Sequence, residues 1–150
     1  MADVRTLLGF DFGEVRIGVA VGNTLTESAQ ALTVLASVPT RERFERIARL
    51  IAEWQPILLL VGRPLNDDGT PHELTARCER FAKQLRGRFR LPVEDVDERF
   101  SSTTADESLR ERGLSWQQRK ARIDAEAALV ILQSWFAAHA NDYANSPAIA

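Results

Sequence analysis

The segment Ile57-Leu58-Leu59-Leu60-Val61-Gly62 constrains this chain more than any other. Pro56 precedes it, and a loop rich in Pro, Asn, Asp and Gly (Arg63–Pro71) follows it. A short, unbroken apolar run between such signals reads as a strand covered on both faces. A sheet containing such a strand needs apolar layers above and below. The flanking segments supply them. Phe44, Ile47, Ala48, Ile51 and Trp54 fall on one helical face after Pro39-Thr40. Leu74, Cys78, Phe81, Ala82 and Leu85 do the same in a helix expected to end near Gly87.

Ahead of that unit the pattern changes. Val4–Phe12 is an apolar strand, Gly13-Glu14 a tight turn, and Ile17, Val19 and Val21 return at period two. Asn23–Ser28 is turn-like, and Ala29–Val38 supplies a third strand. Short strands with short connections pair antiparallel. Farther on, Pro92–Asp97 is a short strand and Ser101–Arg112 a helix with Gly113 at its C-cap. Leu114–Arg119 reads as a polar connection. Ile123–Ala138 is a helix that is apolar nearly all round, hence buried against the sheet, and the tail beyond it reads as frayed from about residue 139 to 150. The later strands are separated by helices, so they pair in parallel through right-handed crossovers. The expected fold class is α/β. It is one domain over residues 1–150, with a mixed five-stranded sheet (an antiparallel three-strand meander plus parallel strands) and helices on both faces.

Three carboxylates sit in these core-forming elements. Asp11 interrupts the first strand, Glu98 ends the Pro92–Asp97 strand, and Asp124 lies in the first turn of the Ile123–Ala138 helix. Burying a carboxylate is costly unless it is paired or bound to a metal. Three of them suggest convergence around a cation, and oxygen ligands suit Mg²⁺ or Mn²⁺ rather than zinc. A carboxylate-held metal pair is a recurrent device for cutting phosphodiesters. From the residues alone, Glu94, Asp95 and Asp97 compete with Glu98. Glu126 competes with Asp124 but stands about 200° round the helix from it. A plain helix-dipole role for Asp124 is the bland alternative.

Composition excludes several classes. The 150 residues are 45% hydrophobic and 27% charged, as in ordinary globular chains. No stretch approaches the roughly 18 apolar residues of a membrane span, and the N-terminus does not read as a secretory signal. The single cysteine, Cys78, rules out an intrachain disulfide and reads as a small core residue, which fits a reducing cytoplasm. The net charge of −2 does not advertise a nucleic-acid binder, but its distribution does. Arg77, Arg80, Lys83, Arg86, Arg88 and Arg90 face one acid, Glu79, and Arg110, Arg112, Arg119, Lys120 and Arg122 face one, Glu111. Separated charge of this kind can make a polyanion-binding face; solvated helix surfaces are the alternative. His72 and His139 lack ligand spacing. Trp116, beside Arg119, could stack on a base or simply pack.

Four blocks in order resemble the ribonuclease H fold and, within it, the YqgF family, also called RuvX-like, of Holliday-junction resolvases. They are Gly9-Phe10-Asp11-Phe12-Gly13 with Arg16-Ile17-Gly18-Val19-Ala20; Val61-Gly62-Arg63-Pro64-Leu65-Asn66-Asp67-Asp68-Gly69; Asp97-Glu98-Arg99-Phe100-Ser101-Ser102; and Ile123-Asp124-Ala125-Glu126-Ala127-Ala128. The likeness reaches from the N-terminal strand to about Phe136. Arg63 and Asp68 depart from the family pattern without touching the three carboxylates. The resemblance implies a cytoplasmic bacterial nuclease that matures the 5′ end of the small-subunit (16S) rRNA precursor in ribosome biogenesis, with some relatives cutting branched DNA. It selects Asp11, Glu98 and Asp124 as catalytic, metal-binding residues using Mg²⁺ or Mn²⁺. Arg16, Asn66, Arg99, Arg119, Lys120 and Arg122 are the candidate contacts to a nucleic-acid partner. A phosphotransferase of the actin and sugar-kinase type, which shares Asp-Phe-Gly followed by Gly18, would need a second domain. A non-catalytic RNA-binding assembly factor would gain nothing from converging acids.

Overall fold

Each apolar pattern finds the layer it requires. The computed structural model describes residues 5–13, 15–63, 75–97, 111–113 and 115–145, with backbone alone for 116–122 and 140–145. Strands β1 (Thr6–Phe12), β2 (Arg16–Asn23) and β3 (Ser28–Ala36) precede helix α1 (Thr40–Trp54). Strand β4 (Leu58–Arg63), helix α2 (Thr75–Phe89), strand β5 (Val93–Asp97) and helix α3 (Trp116–Asn145) follow. The sheet order is β3-β2-β1-β4-β5. The meander pairs antiparallel, whereas β1–β4 and β4–β5 pair parallel. This is the expected mixed sheet.

Period two divides the side chains between two cores. Leu8, Phe10 and Phe12 of β1 face α1 and α2, where they meet Phe44, Ile47, Phe81 and Leu85. Leu7 points to the other face and joins Ala128, Ile131, Leu132, Trp135 and Phe136 of α3. Strand β4, between β1 and β5, serves both cores, with Leu59 and Val61 in the first and Leu60 in the second. All three are fully buried, as the unbroken apolar run requires. Each such side chain contributes roughly 1.5–3 kcal/mol on burial. Cys78 is buried in the first core.

Three boundaries differ from the sequence reading. Helix α2 passes through Gly87 to Phe89 and ends where Arg90 turns left-handed (φ 55) and donates its N–H to the Arg86 carbonyl at 3.0 Å. Gly87 has open space around it, so nothing there forces an end. Helix α3 begins at Trp116 rather than Ile123 and continues to Asn145, so residues 139–145 belong to it rather than to a frayed tail. Apolar periodicity reports only the stretch that packs on the sheet, and the helical backbone of α3 extends beyond the apolar stretch at both ends. The expected helix 101–112 lies outside the described residues except at its end, where Gly113 takes the left-handed φ of 78 that a C-cap requires.

Phe81 ties this half of the molecule together. Its ring centroid lies 5.8 Å from that of Phe10, 4.9 Å from Phe12 and 6.2 Å from Phe44. Phe81→Ala should therefore cost about 3–5 kcal/mol in urea unfolding. Leu25→Ala, at a 55% exposed position, should stay within about 0.5 kcal/mol of the wild type. Equal midpoints for the two variants would contradict this packing.

Candidate active site

Asp11 belongs to the α3 side of β1, the side of Leu7 and Gly9. In the β1–β2 register it stands opposite Gly18. Arg16 is two residues from Gly18 and so shares its face, diagonally across from Asp11. Helix α3 runs directly over this spot. A Cβ added to Gly18 would overlap the carbonyl oxygen of Asp124 and come within 2.8 Å of the Ala125 nitrogen. The helix backbone thus touches the strand backbone, which only a residue without a side chain permits. About two turns along, a Cβ added to Gly9 would come within 2.9 Å of the Leu132 side chain and 3.4 Å of the Ala128 carbonyl oxygen. Asp11 and Asp124 are in this manner brought to the two sides of Gly18.

Asp124 is the ninth residue of α3, not part of its first turn, which contains no acid. The dipole explanation therefore fails, because that effect fades within a turn. Its Oδ2 accepts from Arg16 Nε at 2.8 Å, with the two side chains 53% and 27% exposed. A pair so open to solvent contributes only about 0–1 kcal/mol. Its structural effect is orientation, since it fixes the carboxylate toward the β1–β2 face. Arg16 Nε serves Asp124, and no other hydrogen bond of this guanidinium occurs among the described residues. Glu126, the rival carboxylate, is 3% exposed and lies 3.6 Å from Arg112, away from this site along a cavity beside β3 of about 500 Å³.

The other predicted residues divide by location. Glu98 lies outside the described residues, immediately after Asp97, the last residue of β5. Because β5, β4 and β1 are parallel, their carboxyl ends share one edge of the sheet, the edge where ligands of such sheets gather. Asn66 and Arg99 lie outside the described residues. The backbone of Arg119, Lys120 and Arg122 belongs to α3, within the five residues before Asp124, and their side chains, like that of Trp116, lie outside the description. Among the described residues no three His, Cys, Asp or Glu side chains group as metal ligands. Arg63, a departure from the family pattern, reaches from the end of β4 to Glu79 of α2 at 3.1 Å. His139 stacks on Trp135 with centroids 4.2 Å apart.

Two residues escaped sequence reasoning. Gly18 was one glycine of a motif, and only the approach of α3 reveals its role. Arg43 is 8% exposed. Its signal was its position, four residues before Ile47 on the apolar face of α1.

The mixed five-stranded sheet with helices on both faces defines a ribonuclease H-like protein. The Thermus thermophilus RuvC structure in complex with a Holliday junction superposes with a TM-score of 0.55 at 21% identity, covering 91% of this chain and 96% of that one. The fowlpox virus Holliday junction resolvase gives 0.56 at 11% identity, covering 89% and 98%. These likenesses establish the fold. Residues 5–138 match the family model described as RuvX, Holliday junction resolvase, and the chain belongs to that family. Relatives from Burkholderia ambifaria (55% identical over 130 residues, 87% of each chain) and Burkholderia vietnamiensis (53% over 131 residues, 87% of this chain and 88% of that one) are described as candidate pre-16S rRNA nucleases.

The close approach at Gly18 gives a direct test. Gly18→Ala should push α3 off β2, at a cost of about 1–3 kcal/mol or more. It should also separate Asp124 from Asp11, so nuclease activity should fall even at temperatures where the variant is folded by circular dichroism. Wild-type stability and activity in this variant would refute the account of the site.

Proposed function

We propose that this protein is a nuclease that hydrolyses phosphodiester bonds of structured nucleic acid, with the precursor of 16S rRNA as its favoured substrate. The observation carrying the proposal is that Gly18 has Asp11 opposite it in the β1–β2 register and the Asp124 backbone against it, at the sheet edge where β5 leads into Glu98. Family membership and the names of relatives more than 50% identical support it. The catalytic set proposed is Asp11, Glu98 and Asp124.

The donor set fits Mg²⁺ or Mn²⁺. The two described members are hard carboxylate oxygens, and no sulfur competes, because Cys78 is buried in the opposite core. Divalent cations held there would activate the attacking water and stabilise the departing oxygen. The chain's own residues set the stage. Gly18 admits the α3 backbone, and Arg16 Nε orients the Asp124 carboxylate. The Arg16 terminal amines are then placed to contact a substrate phosphate. Arg119, Lys120 and Arg122, ahead of Asp124 on α3, together with Asn66 and Arg99, would hold the backbone. Phosphate contacts of this kind fix position without reading sequence.

The whole described fold is one sheet with a layer on each side, which supports a single nuclease domain over residues 1–150. No helix among the described residues is long and apolar enough to cross a membrane. An rRNA substrate favours a cytoplasmic protein. A branched-DNA substrate is the second reading. Its specific support is the family description and the fold shared with two Holliday junction resolvases.

Asp11→Asn preserves shape while removing a ligand charge. Cleavage of precursor rRNA in Mg²⁺ should be abolished with the circular dichroism spectrum unchanged, and the same preparations assayed on a four-way DNA junction rank the two substrates. Full activity of purified Asp11→Asn on both would sink the proposal.

A further inference from the structure

Arg43 is buried, and among the described residues no acid pairs with it. Its guanidinium carbon lies 4.8 Å from the centroid of the Phe44 ring and 5.4 Å from those of Phe12 and Phe81. Nη1 donates to the Ser37 carbonyl at 3.4 Å and Nη2 to Gln84 Oε1 at 3.3 Å, both long bonds. Nε is buried with no partner. Burial, then Arg88, then Arg80 lower its proton affinity. The two arginines and Gln84 recur every fourth residue on α2, so they form one stripe along the helix. Arg88 also reaches over Phe44, at 4.1 Å from the ring centroid. Neither Arg80 nor Arg88 pairs with a carboxylate among the described residues, and neighbouring Glu79 is engaged by Arg63.

Cation–π contacts account for the presence of one guanidinium on these rings, each contact stabilising by roughly 0.5–2 kcal/mol. They do not account for two further exposed arginines converging on it with no compensating acid. Like charges so placed repel, and an anion removes the repulsion while taking up the open donors of Arg80 and Arg88. The cluster lies on the α1–α2 side of the sheet, opposite Asp11 and Asp124, yet at the same end. Ser37, which accepts from Arg43, donates its own N–H to the Val15 carbonyl at 2.9 Å, and Arg16 follows Val15 directly. The Val15–Ser37 backbone bond thus links the strand that carries Arg16 to the carbonyl that holds Arg43.

We propose that Arg43, Arg80 and Arg88 form a second phosphate-binding site, which holds the backbone of the nucleic-acid substrate after it has passed round the sheet edge from the acidic site. The inference rests on the nucleic-acid-binding part of the proposed function, and not on the metal chemistry. Arg80 and Arg88 grip the phosphodiester from the surface, and buried Arg43 supplies fixed positive potential behind them.

The test uses the full chain carrying Asp11→Asn, so that substrate survives, and adds Arg80→Ala with Arg88→Ala at exposed positions. Binding of a fluorescein-labelled single-stranded RNA and of a four-way DNA junction is followed by anisotropy against KCl concentration. The double change should reduce the log–log salt slope by about 1.4–1.8, since each lost phosphate contact removes roughly 0.7–0.9. Without nucleic acid it should melt no lower than its parent at low salt, and inorganic phosphate should raise its melting temperature less than it raises the parent's. An unchanged slope, with the same response to inorganic phosphate, would overturn the site. Cleavage by the Asp11 wild type, measured separately, tells the two proposals apart. A lowered slope without any cleavage retains the arginine site and removes the catalytic one, and normal cleavage with an unchanged slope does the reverse.

Discussion

The contact between the α3 backbone and Gly18 is the constraint on which the rest depends. Helix and sheet normally stand apart by the depth of two side-chain layers. Here the strand offers no side chain, and the carbonyl of Asp124 comes down onto it. Asp11 lies opposite in the β1–β2 register, so acids from elements more than a hundred residues apart in sequence both border a single glycine. Farther along α3 the spacing is filled conventionally by Ile131, Leu132, Trp135 and Phe136. The helix is therefore anchored by ordinary apolar burial at one end and held close by the absence of a side chain at the other.

That anchoring explains how acids persist in core-forming elements. Asp11 and Asp124 lie where the apolar contact between α3 and the sheet gives out, and both are half-buried rather than sealed. Arg16 balances one of them at little energetic gain, so its retention is better explained by orientation than by stability. On the other side of the sheet the arrangement is inverted. There an arginine is buried among phenylalanines, and among the described residues no acid pairs with it. An acidic pair of positions and a buried arginine thus lie on opposite faces of the sheet.

Much of this was legible in the sequence, for identifiable reasons. The unbroken run of β4 and the alternation of β2 report burial directly, so sheet composition and layering followed. The four motif blocks carried the family. What was not legible was depth and approach. Asp124 reads as a first-turn residue because the polar residues before it show no apolar face, although they are helical. Arg43 carried no reading from the sequence, because its burial depends on the ring cluster that Phe12 and Phe81 assemble from distant segments. Gly87 reads as a helix stop because the same residue type ends many helices, yet α2 passes through it to Phe89. In each case the missing information was tertiary.

The central claim is that Asp11 and Asp124 act as one cation site. Mn²⁺ binding followed by electron paramagnetic resonance in the wild type, Asp11→Asn, Asp124→Asn and the double variant tests it most directly, because a shared site is non-additive. The account predicts that each single change weakens Mn²⁺ strongly and that the double change adds little further loss. Independent, additive losses, or Mn²⁺ affinity indifferent to Asp124→Asn, would contradict it.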